Sequence, residues 1–253
     1  MKHFVTTLHC IGITIRHTLG VFRQARRNPD PGRQWFHSMA RQWAQELVQA
    51  AGISLSVEGL DLLSPDRQYV YVANHASYMD IPIVLATLPG NLIIVYKKEL
   101  EKIPLFGPML KISPLLPIER ENPRKAFATL RQALHLADQK RSLLLFPEGT
   151  RTPTGKLQPF KRGAFHLALQ AGLPVVPVAI AGTYDILPRH RWTITPNRSV
   201  AVFIGEPIEV PAQRSKQQER HILQQAEQTI QTLLQRHRSS EQQTGSSKDR
   251  HND

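Results

Sequence analysis

The sequence predicts an α/β fold, a mostly parallel central sheet flanked by helices, preceded by an N-terminal amphipathic two-helix segment. Three observations lead there. From residue 53 onward, short runs rich in Val, Ile and Leu alternate with stretches at helical spacing. Runs such as Leu143-Leu144-Leu145-Phe146 are apolar at every position rather than every second one, which marks strands covered on both faces. With 253 residues, 41% of them apolar, the chain can bury one full core.

In chain order, residues 4–22 are apolar but interrupted by His9, Arg16 and His17. A bilayer span needs about 20 mostly apolar residues, so this stretch reads as an interfacial helix; no Ala-x-Ala-like site marks it as a cleaved leader. Arg23, Arg26 and Arg27 follow, then the breaker run Asn28-Pro29-Asp30-Pro31-Gly32. A second amphipathic stretch, 34–51, carries Trp35, Phe36, Met39, Trp43, Leu47 and Val48. Two such helices, with tryptophans and flanking arginines, suit a membrane interface, so 1–51 is expected to be membrane-associating; the alternative is that both helices simply pack on the main domain. Expected strands are 54–58, 68–73, 92–96, 115–118, 142–146, 175–180 and 200–204, with helices at 81–87, 123–139 and 163–171. This core domain, 52–212, is followed by a C-terminal helix over 213–238, with Ile222, Ala226, Ile230 and Leu233 at helical spacing. Residues 239–253 carry no apolar side chain and are expected to be disordered.

A formal net charge of +12 calls for an anionic partner. Aromatics make up 7% of residues and are not interleaved with basic ones, and no zinc-finger, RRM or helix-turn-helix pattern is present. That turns the reading from nucleic acid towards a phospholipid surface or a phosphorylated substrate. The single Cys10 rules out an intrachain disulfide and a multi-cysteine metal site.

The stretch with the most chemistry is Asn74-His75-Ala76-Ser77-Tyr78-Met79-Asp80, delivered by an apolar run. Imidazole can take and return a proton near neutral pH, and a carboxylate on its other nitrogen fixes the tautomer and stabilises the imidazolium. On one continuous helix, residues five apart lie about 140° around the axis. His75 and Asp80 can therefore meet only if His75 sits in a loop and Asp80 opens a helix, a break that Pro82 favours. Ser77-x-x-Asp80 also fits a capping box, in which Asp80 only closes a helix end. The second constellation is Phe146-Pro147-Glu148-Gly149-Thr150-Arg151, at the end of an apolar strand, where α/β sheets place their ligands. Lys97 and Lys98 follow one strand end and Arg120 another, and Lys161 and Arg162 precede the helix that Gly163 opens, so several cations are expected along one edge, an anion-binding crevice.

Four blocks resemble the 1-acylglycerol-3-phosphate acyltransferases, within the wider glycerolipid acyltransferases. They are Asn74 to Asp80 (a His-x4-Asp motif); Lys98-Glu99-Leu100 with 103–107 and Ile118-Glu119-Arg120; Phe146 to Arg151 with Phe160-Lys161-Arg162-Gly163; and Val176-Pro177-Val178. The resemblance spans residues 35–210 and departs at Pro114 and Pro117, where the family usually has a glycine and an aromatic residue. Two prolines so close suggest an edge or irregular strand. The resemblance implies acyl transfer from acyl-CoA, or from acyl carrier protein, to the sn-2 hydroxyl of 1-acylglycerol-3-phosphate; the alternatives are the same chemistry on glycerol-3-phosphate, another lysophospholipid or a lyso-aminolipid, and a non-catalytic basic membrane-binding protein. His75 is then the general base and Asp80 its orienting partner. Arg120 and Arg151 are assigned to the acceptor phosphate, with Lys98 a further candidate, and Glu148, Gly149 and Thr150 to the acceptor pocket. Asn74 steadies either the tetrahedral oxyanion or the loop. No metal or bound cofactor is required. Lipid substrates place such a protein on the cytoplasmic face of the inner membrane, peripheral or monotopic.

Overall fold

In the structure, a computed structural model, residues 1–28, 34–119, 129, 132, 141–211 and 215–248 are described, 240–248 by backbone alone. Seven strands form one sheet: β1 (Ser54–Glu58), β2 (Val70–Ala73), β3 (Leu92–Lys97), β4 (Leu116–Ile118), β5 (Ser142–Leu145), β6 (Val175–Ala181) and β7 (Ser199–Ile204). Their order is β1-β7-β6-β2-β5-β3-β4. Every neighbouring pair is parallel except β6 and β7. β2, β5 and β6 are buried at almost every position, as their unbroken apolar runs require. β4 is a three-residue edge strand, in keeping with Pro114 and Pro117, since proline cannot donate to a ladder.

The register explains where a site can form. β2 lies between β5 and β6, parallel to both, with Val72 opposite Leu145 on one side and Pro177 on the other. Three C-terminal strand ends therefore leave the sheet side by side. Residues 74–80, 146–151 and 182–183 are brought to one edge from distant parts of the chain.

The helices are α1 (Lys2–Arg27), α2 (Gln34–Ala50), α3 (Asp80–Thr87), α4 (Phe106–Ile112), α5 (Gly163–Ala171) and α6 (Lys216–Lys248). Cys10 and Ile13 of α1 and Ala44, Leu47 and Val48 of α2 join the same buried cluster as Tyr71, Ile83 and Val178. The first 51 residues thus share the core of the sheet instead of forming a separate layer. Cys10 is buried, which pushes its thiol up to about 11; it is a small core residue. The apolar face of α2 turns inward, the packing alternative, while α1 keeps an apolar stripe outside: Phe4, Leu8, Ile11, Ile15 and Leu19. Among the described residues no helix is long and apolar enough to cross a membrane.

α6 corrects the expected tail. It begins where Ser215 and Gln218 cap each other's backbone, Ser215 Oγ accepting the Gln218 N–H and Gln218 Oε1 accepting the Ser215 N–H. It then runs to Lys248, through residues expected to be disordered. Adding a residue to an existing helix costs little compared with starting one, and residues 239–248 hold no proline. Arg120, the helix expected over 123–139, Gln213 and residues 249–253 lie outside the described residues.

Candidate active site

Asp80 is the first residue of α3 and is fully buried. Its Oδ2 accepts hydrogen bonds from the backbone N–H groups of Ala76 (2.7 Å) and Ser77 (2.8 Å), and lies 2.7 Å from His75 Nδ1. Its Oδ1 accepts the Thr183 hydroxyl at 2.6 Å. The carboxylate thus closes the loop much as a cap does and also holds the imidazole. The two alternatives open at the sequence level are both present. With Nδ1 engaged, Nε2 is the ring nitrogen left for proton transfer. The ring stacks on Phe146, centroids 4.1 Å apart, which fixes its plane.

The loop is tied on all sides. Asn74 is buried, and its amide is spent on β6: Oδ1 accepts the Ile180 N–H and Nδ2 donates to the Ile180 carbonyl. Its geometry is that of a residue fastening the loop. His75 O accepts the Thr152 N–H, and Leu187 O accepts both the Ser77 hydroxyl and the Tyr78 N–H. Glu148, placed by sequence in the acceptor pocket, instead lies behind the loop. Its Oε1 accepts the His75 N–H at 2.6 Å, and Oε2 accepts the Gln158 N–H and side-chain amide. It lines a small rear cavity with Asn74 and Thr183. A strand-end motif names the residue but not the side of the loop its carboxylate takes.

Burial pushes the Glu148 carboxyl up to about 7, against the N–H donors that pull it down, and the Asp80 charge adds to the rise. A carboxyl raised on folding contributes its full stability below its unfolded value and loses it as pH climbs through the folded one. The melting temperature should therefore fall between about pH 5 and pH 8, and Glu148→Gln, neutral throughout, should flatten that slope. Parallel melting curves for the two proteins would contradict this.

On the open side lies a cavity of about 780 Å³, within the usual size range for small-molecule sites. Its walls are mainly apolar and come from α1, α2, α3, β3 and α4, including Val21, Phe36, Leu85, Ile94 and Met109. At the C-terminal edge of the sheet the lining includes His75, Gly149, Thr150, Arg151 and Lys161, with Lys97, Glu99 and Arg189; Thr14, His17 and Thr18 of α1 add further polar groups. Gly149 adopts φ +73, a left-handed turn that brings Thr150 and Arg151 round to the cavity. The Arg151 guanidinium lies 3.3 Å from the centroid of the Tyr78 ring. Its Nη1 is buried and meets no hydrogen-bond partner among the described residues. Such an unmet cationic donor is costly unless an anion arrives. His37, also lining the cavity, is held neutral: burial lowers it to about 4, helped by the Arg141 and Arg41 charges.

Of the residues singled out by sequence, His75, Lys97, Gly149, Thr150, Arg151 and Lys161 thus meet in this cavity, with Asp80 directly behind. Lys98 does not line it; it is exposed and paired with Glu119. Thr183 was missed, because nothing local in Gly182-Thr183-Tyr184 points to a residue 103 positions upstream. Among the described residues, no cluster of three or more His, Cys, Asp or Glu side chains is set to hold a metal ion.

A His–carboxylate pair beside a largely apolar cavity, with a buried Arg151 nitrogen lacking a partner among the described residues at the same sheet edge, is an arrangement suited to general-base chemistry. The sequence model of the Acyltransferase family matches residues 54–181, just over half of the chain, and the chain belongs to that family. The 1-acyl-sn-glycerol-3-phosphate acyltransferase BAT2, chloroplastic, of Brassica napus is 34% identical over 177 residues, covering 70% of this chain and 51% of that one. The chain spans about half the length of the first plant relatives it matches. The 1-acyl-sn-glycerol-3-phosphate acyltransferase of Haemophilus influenzae is 28% identical over 211 residues, 83% of this chain and 84% of that one. The crystal structure of the 1-acyl-sn-glycerophosphate (LPA) acyltransferase PlsC from Thermotoga maritima is similar with a TM-score of 0.76 at 27% identity. It covers 92% of this chain and 96% of that chain.

Proposed function

We propose that the chain transfers a fatty acyl group from a thioester to the sn-2 hydroxyl of 1-acylglycerol-3-phosphate, giving phosphatidate. The observation that carries this is the His75–Asp80 pair lining and backing a cavity that joins apolar walls to Arg151, whose buried Nη1 meets no partner among the described residues. Family membership and the names of the relatives support the same chemistry. The donor is acyl-CoA or an acylated acyl carrier protein.

His75 Nε2 takes the proton of the acceptor hydroxyl as its oxygen attacks the thioester carbonyl. Asp80 stabilises the imidazolium so formed. The tetrahedral intermediate collapses, the carbon–sulfur bond breaks, and His75 returns the proton to the departing thiolate. Arg151 holds the acceptor phosphate through its planar fork, and the apolar walls take the acyl chain. Glu148, Asn74 and Thr183 position the loop and the pair without touching substrate.

Both substrates partition into bilayers, and the exposed apolar stripe of α1, with a net charge of +12, suits an anionic leaflet. The protein accordingly works as a peripheral or monotopic enzyme on the cytoplasmic face of the inner membrane.

The test is an acceptor panel with one long-chain thioester. Lysophosphatidate should be acylated in preference to glycerol-3-phosphate, which lacks the acyl chain, and to monoacylglycerol, which lacks the phosphate. Equal release of free fatty acid with or without acceptor would identify a thioesterase instead.

A further inference from the structure

The segment after β6 leaves the core after Ile186 and returns at Ile194. Its root is fastened to the His75 loop, because the Leu187 carbonyl accepts both the Ser77 hydroxyl (2.9 Å) and the Tyr78 N–H (3.1 Å). Its far end is fastened to α1, where the Ile194 N–H donates to Thr7 Oγ1 at 2.8 Å. In between it is braced. The Arg191 N–H turns back to Pro188 O, its guanidinium donates to Thr195 Oγ1 and Asp185 O, and the Thr195 N–H donates to Ile186 O. At the tip of this rigid loop stands Trp192, 87% exposed.

An isolated exposed apolar side chain needs no explanation. This one has three distinctive neighbours. It follows Arg189, His190 and Arg191, all exposed. Its loop touches the helix that carries the exposed Phe4, Leu8 and Ile11 stripe. Arg189, on the same loop, lines the large cavity. An indole among cations suits the headgroup level of an anionic bilayer, where its apolar body and polar N–H are both satisfied. A loop already braced loses little further freedom on insertion.

We infer that the 187–195 loop is a second membrane-docking element. Trp192 enters the headgroup region of an anionic bilayer beside α1, and Arg189 sits over lipid phosphates, so that the polar end of the cavity opens towards the lipid surface. This rests on the membrane-surface reading above and adds a contact that α1 alone does not supply. Because the root of the loop holds Ser77 and Tyr78, docking and the His75 loop are mechanically joined.

The experiment is co-sedimentation of the full chain with vesicles of phosphatidylcholine and phosphatidylglycerol, against phosphatidylcholine alone. It compares the wild type, Trp192→Ala and the α1 variant Leu8→Glu/Ile15→Glu. Trp192 is exposed, so Trp192→Ala keeps its fold, which circular dichroism checks. The wild type should prefer anionic vesicles, and Trp192→Ala should bind them about tenfold more weakly. The blue shift of tryptophan emission on binding should be lost in Trp192→Phe. If Trp192→Ala binds as the wild type does while the α1 variant does not, the loop inference is overturned and the membrane reading stands. If the wild type binds neither vesicle, both fall together.

Discussion

Asp80→Asn should lower acyl-transfer turnover by about 10²–10⁴-fold in a protein that still folds. The fold survives because asparagine is nearly isosteric. Its carbonyl oxygen can take the place of Oδ2 and receive the Ala76 and Ser77 N–H groups. Its amide nitrogen then faces the Thr183 hydroxyl, which can accept as well as donate. What vanishes is the buried negative charge beside the imidazole, and with it the stabilisation of the imidazolium formed as the acceptor oxygen attacks. Thr183→Val offers a graded comparison. It removes one donor from the same carboxylate, a charge-assisted hydrogen bond worth about 1.5–3 kcal/mol. Its turnover should fall about tenfold, with KM little changed, and Thr183→Ser should recover most of it. Turnover of Asp80→Asn within threefold of the wild type would reduce Asp80 to a helix-capping residue.

Arg151→Ala should raise KM for lysophosphatidate by about 10–100-fold, the value of hydrogen bonds to a charged partner, with a smaller effect on turnover. Its guanidinium lies face-on to Tyr78 and keeps Nη1 buried without a partner, a geometry that a lysine ammonium cannot copy. Arg151→Lys should therefore restore little. The control is monoacylglycerol, which lacks the phosphate and should show the same poor rate with wild type and variant. An equal proportional loss on both acceptors would mean that Arg151 only supports the loop, through Tyr78, and binds no phosphate.

Much of this site was legible in the sequence for identifiable reasons. His75 and Asp80 are five residues apart, and a proline two residues past Asp80 makes a helix start there physically natural. The strand-end position of Arg151 follows from the apolar run that precedes it. The sheet was equally legible, since unbroken Val, Ile and Leu runs announce strands buried on both faces.

What was hidden depends on tertiary contact. Thr183 reaches Asp80 only because β2 and β6 pair in parallel. Glu148 sits in a motif at the right strand end, but its carboxylate is spent on the backbone of His75. α4 carries Gly107 and Pro108 within seven residues, a poor helix by propensity; Met109 and Leu110, packed in a cluster with Val21, Phe36 and Tyr96, hold it in place. The apolar face of α2 looked suited to a bilayer, and only the packed structure shows that α3 and the sheet already occupy it.

The most direct test of the account is single-turnover transfer from a long-chain acyl thioester to lysophosphatidate, comparing the purified wild type with His75→Ala. The account predicts thioester-dependent phosphatidate from the wild type and a loss of about 10²–10⁴-fold in the variant, with its melting temperature little changed. Phosphatidate formed at an undiminished rate by folded His75→Ala would contradict it.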